Sequence, residues 1–293
     1  MMHTAALLAD VLDWVAETGP HEGVVANGVR GMGVLHATTP RRNQCSVYDP
    51  VISLVLQGRK EAFFGNQKLS YGTGDAVIIG QTMPILSTMM EATAAKPFVA
   101  VYVQVDLPIL RSLYADLGER VPMAASGRGL EAGTAQRDLV DAISRLFRLS
   151  RDPLEEQALG AAALREVYFR TLQFGHAGAL RDLMAVDSKA SRVAKAIAHI
   201  HRGYRGTIKA SELADLAGMS ASVFYECFKD VTASTPLQFQ KDLRLMEARQ
   251  MLSGAAHPIS QIAQDVGYES AAQFSREFSR KFGQPPRAFL GVA

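Results

Sequence analysis

The chain of 293 residues contains only two cysteines, Cys45 and Cys227, and they lie far apart. Two distant cysteines exclude a disulfide framework and suit a reducing compartment. No apolar run approaches the roughly 20 residues that a membrane-spanning helix needs. Asp10 and Asp13 interrupt the apolar N-terminal stretch, which also lacks a basic start. We therefore expect no signal peptide and no membrane partner, and we predict a cytoplasmic protein.

Nucleotide-binding and hydrolase signatures are missing as well. The sequence has no Gly-x-x-x-x-Gly-Lys motif and no Gly-x-Ser-x-Gly motif, which would mark a phosphate-binding loop and a nucleophile elbow. Hydrophobic residues make up 48% of the chain and charged residues 20%, as in ordinary folded domains. The length allows about two such domains.

The net charge of +2 is unevenly distributed along the chain. From Lys189 onward the chain contains 14 Lys and Arg residues and nine Asp and Glu residues. This part therefore carries a charge of +5, and the first 188 residues carry −3. A basic part joined to a mildly acidic part favours a polyanionic partner for the basic one. The excess is modest and supports nucleic-acid binding only in combination with other features.

Short β-branched runs dominate the stretch from about residue 24 to 105. Runs at 51–56, 75–79 and 98–103 are separated by glycine-containing turns, which predicts a β-sandwich or a small barrel. The histidines of this region, His21 and His36, form no His-x-His pair. We therefore expect neither a metal site nor another cofactor.

Helical spacing of apolar residues returns after Asp106. It occurs near 107–117, 134–149 and 154–174. These helices are expected to pack on the β-rich part and to offer a dimer surface. Beyond a linker at about 185–189, the strand signal disappears and the chain is predicted to be entirely helical.

Two segments of the basic part have the spacing of a helix-turn-helix. The first contains Ala214-x-x-x-Gly218, and the pattern recurs 49 residues later as Ala263-x-x-x-Gly267. A small residue is needed where the second helix crosses the first closely, and glycine is favoured where the turn needs a positive φ. Two matches indicate two helix-turn-helix units, at about 210–229 and 259–280.

The aromatic residues of these units are predicted to be structural. Phe224 and Phe228, and likewise Phe274 and Phe278, are four residues apart and would face the core of each unit rather than stack on bases. Cys227 lies on the same apolar side and is interpreted as a small buried hydrophobic residue.

A long helix is predicted between the two units. Apolar residues at helical spacing run from Thr235-Pro236 to about Ser253-Gly254, which is about 17 residues or 25 Å. Consecutive major-groove segments on one face of DNA lie about 34 Å apart. A rigid helix of this length would allow each unit to contact one turn of DNA.

The second unit carries a recognisable signature. The run from Gly267 to Phe278, followed by Phe282-Gly283-Gln284-Pro285-Pro286, closely resembles the AraC/XylS family of bacterial regulators over roughly the last hundred residues. The first part is similar to the AraC-type regulator N-terminal family over most of residues 22–175. The residues that carry this second resemblance are Val55-Leu56-Gln57-Gly58-Arg59-Lys60, Tyr71 with Gly74, Pro84 and Pro97-Phe98.

The resemblance implies a cupin-like β-barrel that binds a small molecule or mediates dimerisation, coupled to promoter binding. It also implies DNA contacts on the second helix of each unit. In the first unit the corresponding positions are Ser222, Val223, Tyr225, Glu226 and Lys229. In the second unit they are Ala271, Ala272, Gln273, Ser275, Arg276 and Arg280.

The chemistry of these positions differs between the two units. Arg276 falls where the family commonly uses an arginine against bases or phosphates, and arginine suits guanine as glutamine suits adenine. Glu226 departs from the family, which often has a basic or amide residue there. Its carboxylate would either accept a hydrogen bond from cytosine N4 or pair with a neighbouring lysine.

Three residues are candidates for an effector or redox site. Cys45 follows Arg41 and Arg42, whose positive charge would lower the pKa of its thiol. Met83 and Met89 are expected to fill the core, with the lining of an adaptable apolar pocket as the alternative.

We therefore predict an α+β chain of two domains: residues 1–185 form a cupin-like barrel with packed helices, and residues 189–293 form a DNA-binding domain. The expected function is sequence-specific transcription regulation under the control of a small molecule. The expected partners are double-stranded promoter DNA, an unidentified small-molecule effector, RNA polymerase and a second copy in a homodimer. The alternatives are a cupin-type enzyme with an accessory nucleic-acid-binding tail and an architectural DNA-binding protein.

Overall fold

The structure is a computed structural model that describes residues 4–19, 22–41, 44–120, 129–184, 188–254 and 258–290. His21, Arg42 and residues 185–187 of the expected linker lie outside the described residues. Within the described ranges the chain forms ten β-strands and eleven α-helices. The α+β class predicted from the sequence is confirmed. None of these helices combines the length and the apolarity needed to cross a membrane.

The strands lie in the first half of the chain. They are β1 (Gly23–Ala26), β2 (Met32–Ala37), β3 (Gln44–Tyr48), β4 (Val51–Gln57), β5 (Arg59–Phe64), β6 (Gln67–Gly72), β7 (Asp75–Ile79), β8 (Met83–Glu91), β9 (Phe98–Gln104) and β10 (Leu130–Thr134).

All neighbouring strands pair antiparallel in two sheets. One sheet has the order β1-β2-β9-β4-β7-β10 and the other the order β3-β8-β5-β6. The three β-branched runs of the sequence form β4, β7 and β9, at the centre of the larger sheet, as predicted. Strand β10 was not anticipated, since its five residues include only one large apolar side chain. It pairs with β7 from Leu130 opposite Ile79 to Thr134 opposite Asp75.

Five helices accompany the strands. They are α1 (Ala5–Thr18), α2 (Leu107–Leu117), α3 (Arg137–Arg148), α4 (Pro153–Gln173) and α5 (Gly178–Met184). Helices α1 to α5 bury their apolar faces in one cluster with β2, β4 and β9. Asp152 caps α4 by accepting hydrogen bonds from the amides of Leu154 and Glu155. Because helices cover the outer face of the larger sheet, its inner face is left to meet the smaller sheet.

Six helices form the remainder of the described chain. They are α6 (Lys189–Gly203), α7 (Ala210–Ala217), α8 (Ala221–Thr232), α9 (Pro236–Gly254), α10 (Ile259–Asp265) and α11 (Ala271–Phe282). The pairs α7–α8 and α10–α11 are the two predicted helix-turn-helix units. Helix α9 connects them over 19 residues, or about 28 Å at the α-helical rise. It begins at Pro236, where the sequence placed its start.

Arg244, near the middle of α9, connects the two halves of the helical region. Its guanidinium donates hydrogen bonds to the carbonyl oxygens of Tyr204 at 2.6 Å, Gly206 at 2.8 Å and Gly267 at 2.8 Å, and also to that of Arg205 at 3.1 Å. The first three positions after α6 and the turn of the second unit therefore share one donor group. Hydrogen bonds from a charged donor are stronger than neutral ones.

The strand region also contacts the first helix-turn-helix unit and α9 directly. At the turn between β5 and β6, the amide of Asn66 donates to the carbonyl oxygen of Ala233, which follows α8. The amide of Gly129 donates to the carbonyl oxygen of Val231 at 2.8 Å. Strands β3 and β8 pack against α9. We call this set of contacts the docking surface.

The docking surface predicts a steric effect at Gly65. A Cβ at this position would overlap the carbonyl oxygen of Ala233, and the residue has φ +52°. Gly65→Ala should separate the turn from α8, lower the unfolding midpoint and speed amide exchange of Asn66, which hydrogen exchange read by mass spectrometry would detect. Gly74→Ala is the control, because Gly74 has φ +91° and a Cβ there would meet no atom within 4 Å. Equal effects of the two substitutions would show that only backbone strain matters, at about 1–3 kcal/mol.

Loss of the Arg244 guanidinium should destabilise the helical region. Arg244→Met removes the side-chain donor of the Arg205 and Gly267 carbonyl oxygens and leaves those of Tyr204 and Gly206 with Gln240 alone. We expect the free energy of unfolding to fall by about 2–4 kcal/mol. Urea denaturation followed by circular dichroism measures this change. Arg202→Met is the control, because Arg202 is exposed at the end of α6. The same unfolding free energy in both variants would contradict the connecting role of Arg244.

Candidate nucleic-acid interface and internal cavity

The turn of the first unit has the backbone that its sequence pattern requires. Gly218 adopts the left-handed conformation with φ +61° and ψ +41°. Its amide donates to Asp215, and the amide of Met219 donates to Ala214 at 3.0 Å. Ala214 is buried against α8 as predicted. The small residue and the glycine thus close the turn between α7 and α8.

The second unit repeats this arrangement with a tighter constraint. Gly267 has φ +93°, and a Cβ there would overlap the backbone carbonyl of Arg205. The amide of Tyr268 donates to the carbonyl oxygen of Ala263 at 2.8 Å. Ser270 caps α11 by accepting from the amide of Gln273. Glycine is needed at position 267 for both its backbone conformation and the close approach of the chain after α6.

The phenylalanines lie in the core, as predicted. Phe224, Phe228, Phe274 and Phe278 are each fully buried. Phe228 contacts Phe239 of α9 edge-on, with ring centroids 5.5 Å apart. Cys227 is buried on the same side of α8. One face of each second helix is therefore fixed against the protein.

The opposite faces of α8 and α11 carry the positions implied by the family resemblance. All five positions on α8 are exposed, namely Ser222, Val223, Tyr225, Glu226 and Lys229. On α11, five are exposed and Ser275 is half-buried; the exposed ones are Ala271, Ala272, Gln273, Arg276 and Arg280. The structure therefore places each set on one outward surface of its helix.

Some charged residues of α11 form ion pairs that attach this helix to α9, whereas others are left exposed on its outer surface. Glu277 pairs with Lys241 at 2.8 Å, and Lys281 pairs with Asp242 at 2.7 Å. Glu277 also accepts a hydrogen bond from the hydroxyl of Tyr268 at 2.8 Å. These contacts hold α11 on α9, and they were not predicted from the sequence. The i, i+4 spacing of Glu277 and Lys281 on α11 was the sequence feature that could have revealed them.

Arg276 differs from Lys281 in having no acidic partner. Among the described residues, no carboxylate lies within 4 Å of its guanidinium or of the amino group of Lys229. Glu226 likewise forms no ion pair within 4 Å of a described lysine or arginine, so the predicted pairing with a neighbouring lysine is not observed. The side chains of Arg276, Lys229 and Glu226 are therefore available to contact a ligand.

Cys45 does not have the environment that its sequence neighbours suggest. Burial raises the pKa of its thiol to about 11, and the positive charges of Arg249 and Lys281 offset this only in part. Arg249 donates to Sγ at 3.4 Å from α9, although it is 204 residues away in sequence. Arg41 pairs with Glu22 instead. The prediction of a lowered pKa is wrong, because side-chain burial outweighs charge.

Met83 and Met89 are core residues. Both are buried in the packed core, and neither contributes to the cavity described next. Core filling, the role expected from the sequence, is what the structure shows, and the alternative of an adaptable pocket wall is not observed in this cavity. Flexible unbranched side chains fill irregular gaps in a core.

A cavity of about 420 Å³ lies between the two sheets. Its apolar wall includes Val55, Val77 and Phe98, and its polar end includes Lys60, Tyr48 and Tyr71. This volume is within the range of small-molecule sites, roughly 300–1,000 Å³. Among the described residues there is no group of three or more His, Cys, Asp and Glu that would hold a metal ion.

Alkylation rates test the environment of Cys45. Because the pKa of its thiol is raised from 9.0 to about 11, the thiolate fraction near neutral pH falls about a hundredfold. Iodoacetamide should therefore modify Cys45 in the folded chain at least that much more slowly than in a free peptide of residues 41–49, as peptide mass mapping would show. The folded state also holds this proton more tightly, so stability should decrease as the pH rises from about 9 to 11. Equal rates in protein and peptide would contradict the burial of the thiol.

Comparison with known families accounts for both halves of the chain. Residues 28–179 match the family described as the AraC-type transcriptional regulator N-terminus. Residues 213–291 match a helix-turn-helix domain family. The first match spans just over half of the chain.

Individual relatives match parts of the chain. The RCS-specific HTH-type transcriptional activator RclR of Escherichia coli (strain K12) is 40% identical over 84 residues, which is 29% of this chain and 29% of RclR. The HTH-type transcriptional activator RhaS of Escherichia coli O1:K1 / APEC is 24% identical over 59% of this chain and 62% of RhaS. The chain thus spans less than two thirds of these curated relatives.

Solved structures share the fold over a greater length. The crystal structure of ToxT from Vibrio cholerae O395, bound to (E)-4-(8-methylnaphthalen-1-yl)but-3-enoic acid, superimposes with a TM-score of 0.56 at 11% identity. The match covers 89% of this chain and 98% of ToxT. Together with the family matches, and with two helix-turn-helix units after a two-sheet domain, this places the chain among regulators rather than enzymes: it belongs to the family of AraC-type transcriptional regulators.

Proposed function

We propose that this chain binds double-stranded promoter DNA in a sequence-specific manner through α8 and α11, and thereby regulates transcription. The observation that carries the proposal is the exposed face of α11, where Arg276 has no acidic partner among the described residues while Glu277 and Lys281 are used to fix the helix. A helix whose buried face is rigidly attached and whose outer face is uncompensated suits insertion into a major groove.

The two units supply different chemistry to the DNA. On α11, Arg276 offers the paired donors that suit guanine, Gln273 offers the donor and acceptor that suit adenine, and Arg280 suits a phosphate. Ala271, Ala272 and Ser275 present small side chains that allow close approach. On α8, Ser222, Val223, Tyr225 and Lys229 form the surface, and the carboxylate of Glu226 would accept from cytosine N4. We therefore expect α11 to contribute more affinity than α8.

We further propose that the domains are residues 1–185 and 189–293. The core formed by α1 to α5 with the larger sheet extends to Met184, whereas the helices from Ala190 onward bury their apolar residues in a different cluster, to which several strand residues also contribute. This cytoplasmic regulator would act on RNA polymerase from its position on the promoter.

The cavity is proposed as the site of a small-molecule effector. Its lining residues Val51, Ile79 and Ile85 belong to the same packed cluster as Phe228 and Val231 of the first unit. On β3, Ser46 lines the cavity, whereas the adjacent Cys45 contacts Arg249 of α9. An occupant would therefore press on elements that contact the first unit and α9, which joins the two units. A second crystal structure of the same fold supports this proposal: ToxT from Vibrio cholerae strain SCE256 has an unsaturated fatty acid bound. It matches at a TM-score of 0.55 and 11% identity over 89% of this chain and 94% of ToxT.

DNA binding is tested by fluorescence anisotropy with DNA from upstream of the gene for this protein. Wild type should bind in the presence of scrambled competitor, and Arg276→Ala should weaken specific binding by about 1–3 kcal/mol. Arg137→Ala is the matched control, because it removes the same charge from an exposed position on α3. Titration at two salt concentrations separates phosphate contacts from base contacts.

Two outcomes would contradict the proposal. Equal affinity for upstream and scrambled DNA would indicate an architectural protein rather than a sequence-specific regulator. Equal losses for the Arg276 and Arg137 variants would show that α11 does not contact the bases.

A further inference from the structure

Lys60 is a buried cation in the wall of the cavity. It lies on β5, is 5% exposed, and lines the space between the sheets. Its Nζ donates a hydrogen bond to the hydroxyl of Tyr48 at 3.1 Å. Within the described part of the chain, no carboxylate lies within 4 Å of this amino group. A charge removed from water without a counter-ion is costly, so the site is electrostatically incomplete.

The charged residues near Lys60 do not supply its missing counter-ion. Arg41 and Asp49 also line the cavity, but Arg41 pairs with Glu22 at 2.8 Å. Asp49 accepts a hydrogen bond from the hydroxyl of Thr82 at 2.9 Å. Neither Arg41 nor Asp49 forms an ion pair with Lys60, which keeps Tyr48 as its hydrogen-bond partner.

A second donor lies beside the amino group. Tyr71 of β6 is directly opposite Lys60 of β5 in the strand register. Its hydroxyl has no hydrogen-bond partner among the described residues, although it lines the cavity. Burial raises the pKa of Tyr71 well above its ordinary value, so this hydroxyl remains a donor at neutral pH. The hydroxyl of Tyr48 on β3 completes a group of three polar atoms on three strands of the smaller sheet.

The remainder of the cavity offers an apolar wall to the body of a ligand. Val55, Val77, Ile85 and Phe98 form this wall on both sheets. A strongly hydrated anion such as inorganic phosphate would leave the wall uncovered and would lose its own water. A molecule with one anionic end and an apolar body would satisfy both parts.

We propose that the cavity binds a small monocarboxylate with an apolar body, and that Lys60, Tyr48 and Tyr71 hold its carboxylate. This inference rests on the proposed role of the cavity as an effector site, and it names the ligand class and the residues. Ammonium–carboxylate hydrogen bonds are charge-assisted and strong when shielded from water. Lys60 would thus provide both affinity and selectivity for an acid over its neutral analogue.

Isothermal titration of the full chain with two matched probes tests this proposal without DNA. The probes are 2-naphthoate and 2-naphthamide, which share shape and apolar body but differ in charge. Wild type should bind the naphthoate about tenfold or more tightly than the amide. Inorganic phosphate should not compete, because it has no apolar body.

Substitution of Lys60 tests the assignment to a residue. Lys60→Met keeps the length of the side chain and removes the charge, so the preference for the acid should disappear while the amide still binds. Its unfolding midpoint should not fall, because a buried charge without a counter-ion has been removed. Lys68→Met on β6 is the control, because Lys68 is exposed and pairs with Glu61 outside the cavity; it should keep the preference.

The proposal is overturned by any of three results. These are equal affinity of wild type for the two probes, a preference for the acid that persists in Lys60→Met, and no binding of either probe up to about 1 mM. The comparison of probes on wild type needs no variant, so it stands even where a substitution impairs folding. Since no DNA is present, such a failure is distinct from a failure of the DNA-binding proposal.

Discussion

The arrangement of the helical region depends on the contact between one guanidinium and four backbone carbonyl oxygens. Arg244 joins the chain after α6 to the turn of the second helix-turn-helix unit. Gln240, one turn earlier on α9, donates to Tyr204 and Gly206 as well. Because these donors project from a single helix, the two units cannot rotate independently without breaking these hydrogen bonds. The relative position of α8 and α11, on which recognition of two DNA segments would depend, is therefore fixed by α9.

The docking surface extends this constraint to the strands. Two backbone hydrogen bonds, at Ala233 and Val231, attach the first unit, and the contact of Cys45 with Arg249 lies near the second. The buried residues of the smaller sheet and of α6, α7 and α8 form one continuous cluster. A close-packed interior transmits small displacements, since it cannot absorb them in voids. Displacements caused by a ligand bound between the sheets would thus be transmitted to each unit.

Local rules explain why much of this fold was predictable. The β-branched runs became β4, β7 and β9, and the two Ala-x-x-x-Gly patterns became two turns with positive φ at Gly218 and Gly267. The failures concern long-range proximity. Strand β10 forms because β7 offers it a free edge, and the pKa of Cys45 is set by burial beneath α9 rather than by the arginines before it.

The sequence by itself determined the two-part organisation, the two helix-turn-helix units and the outward faces of α8 and α11. It could do so because helix periodicity and glycine turns act over a few residues. Only the tertiary structure decided which charges are already neutralised, so that Glu277 and Lys281 support α11 while Arg276 remains available. It also decided that Lys60 faces a cavity and not solvent. Burial and ion pairing depend on segments distant in sequence, and no local pattern encodes them.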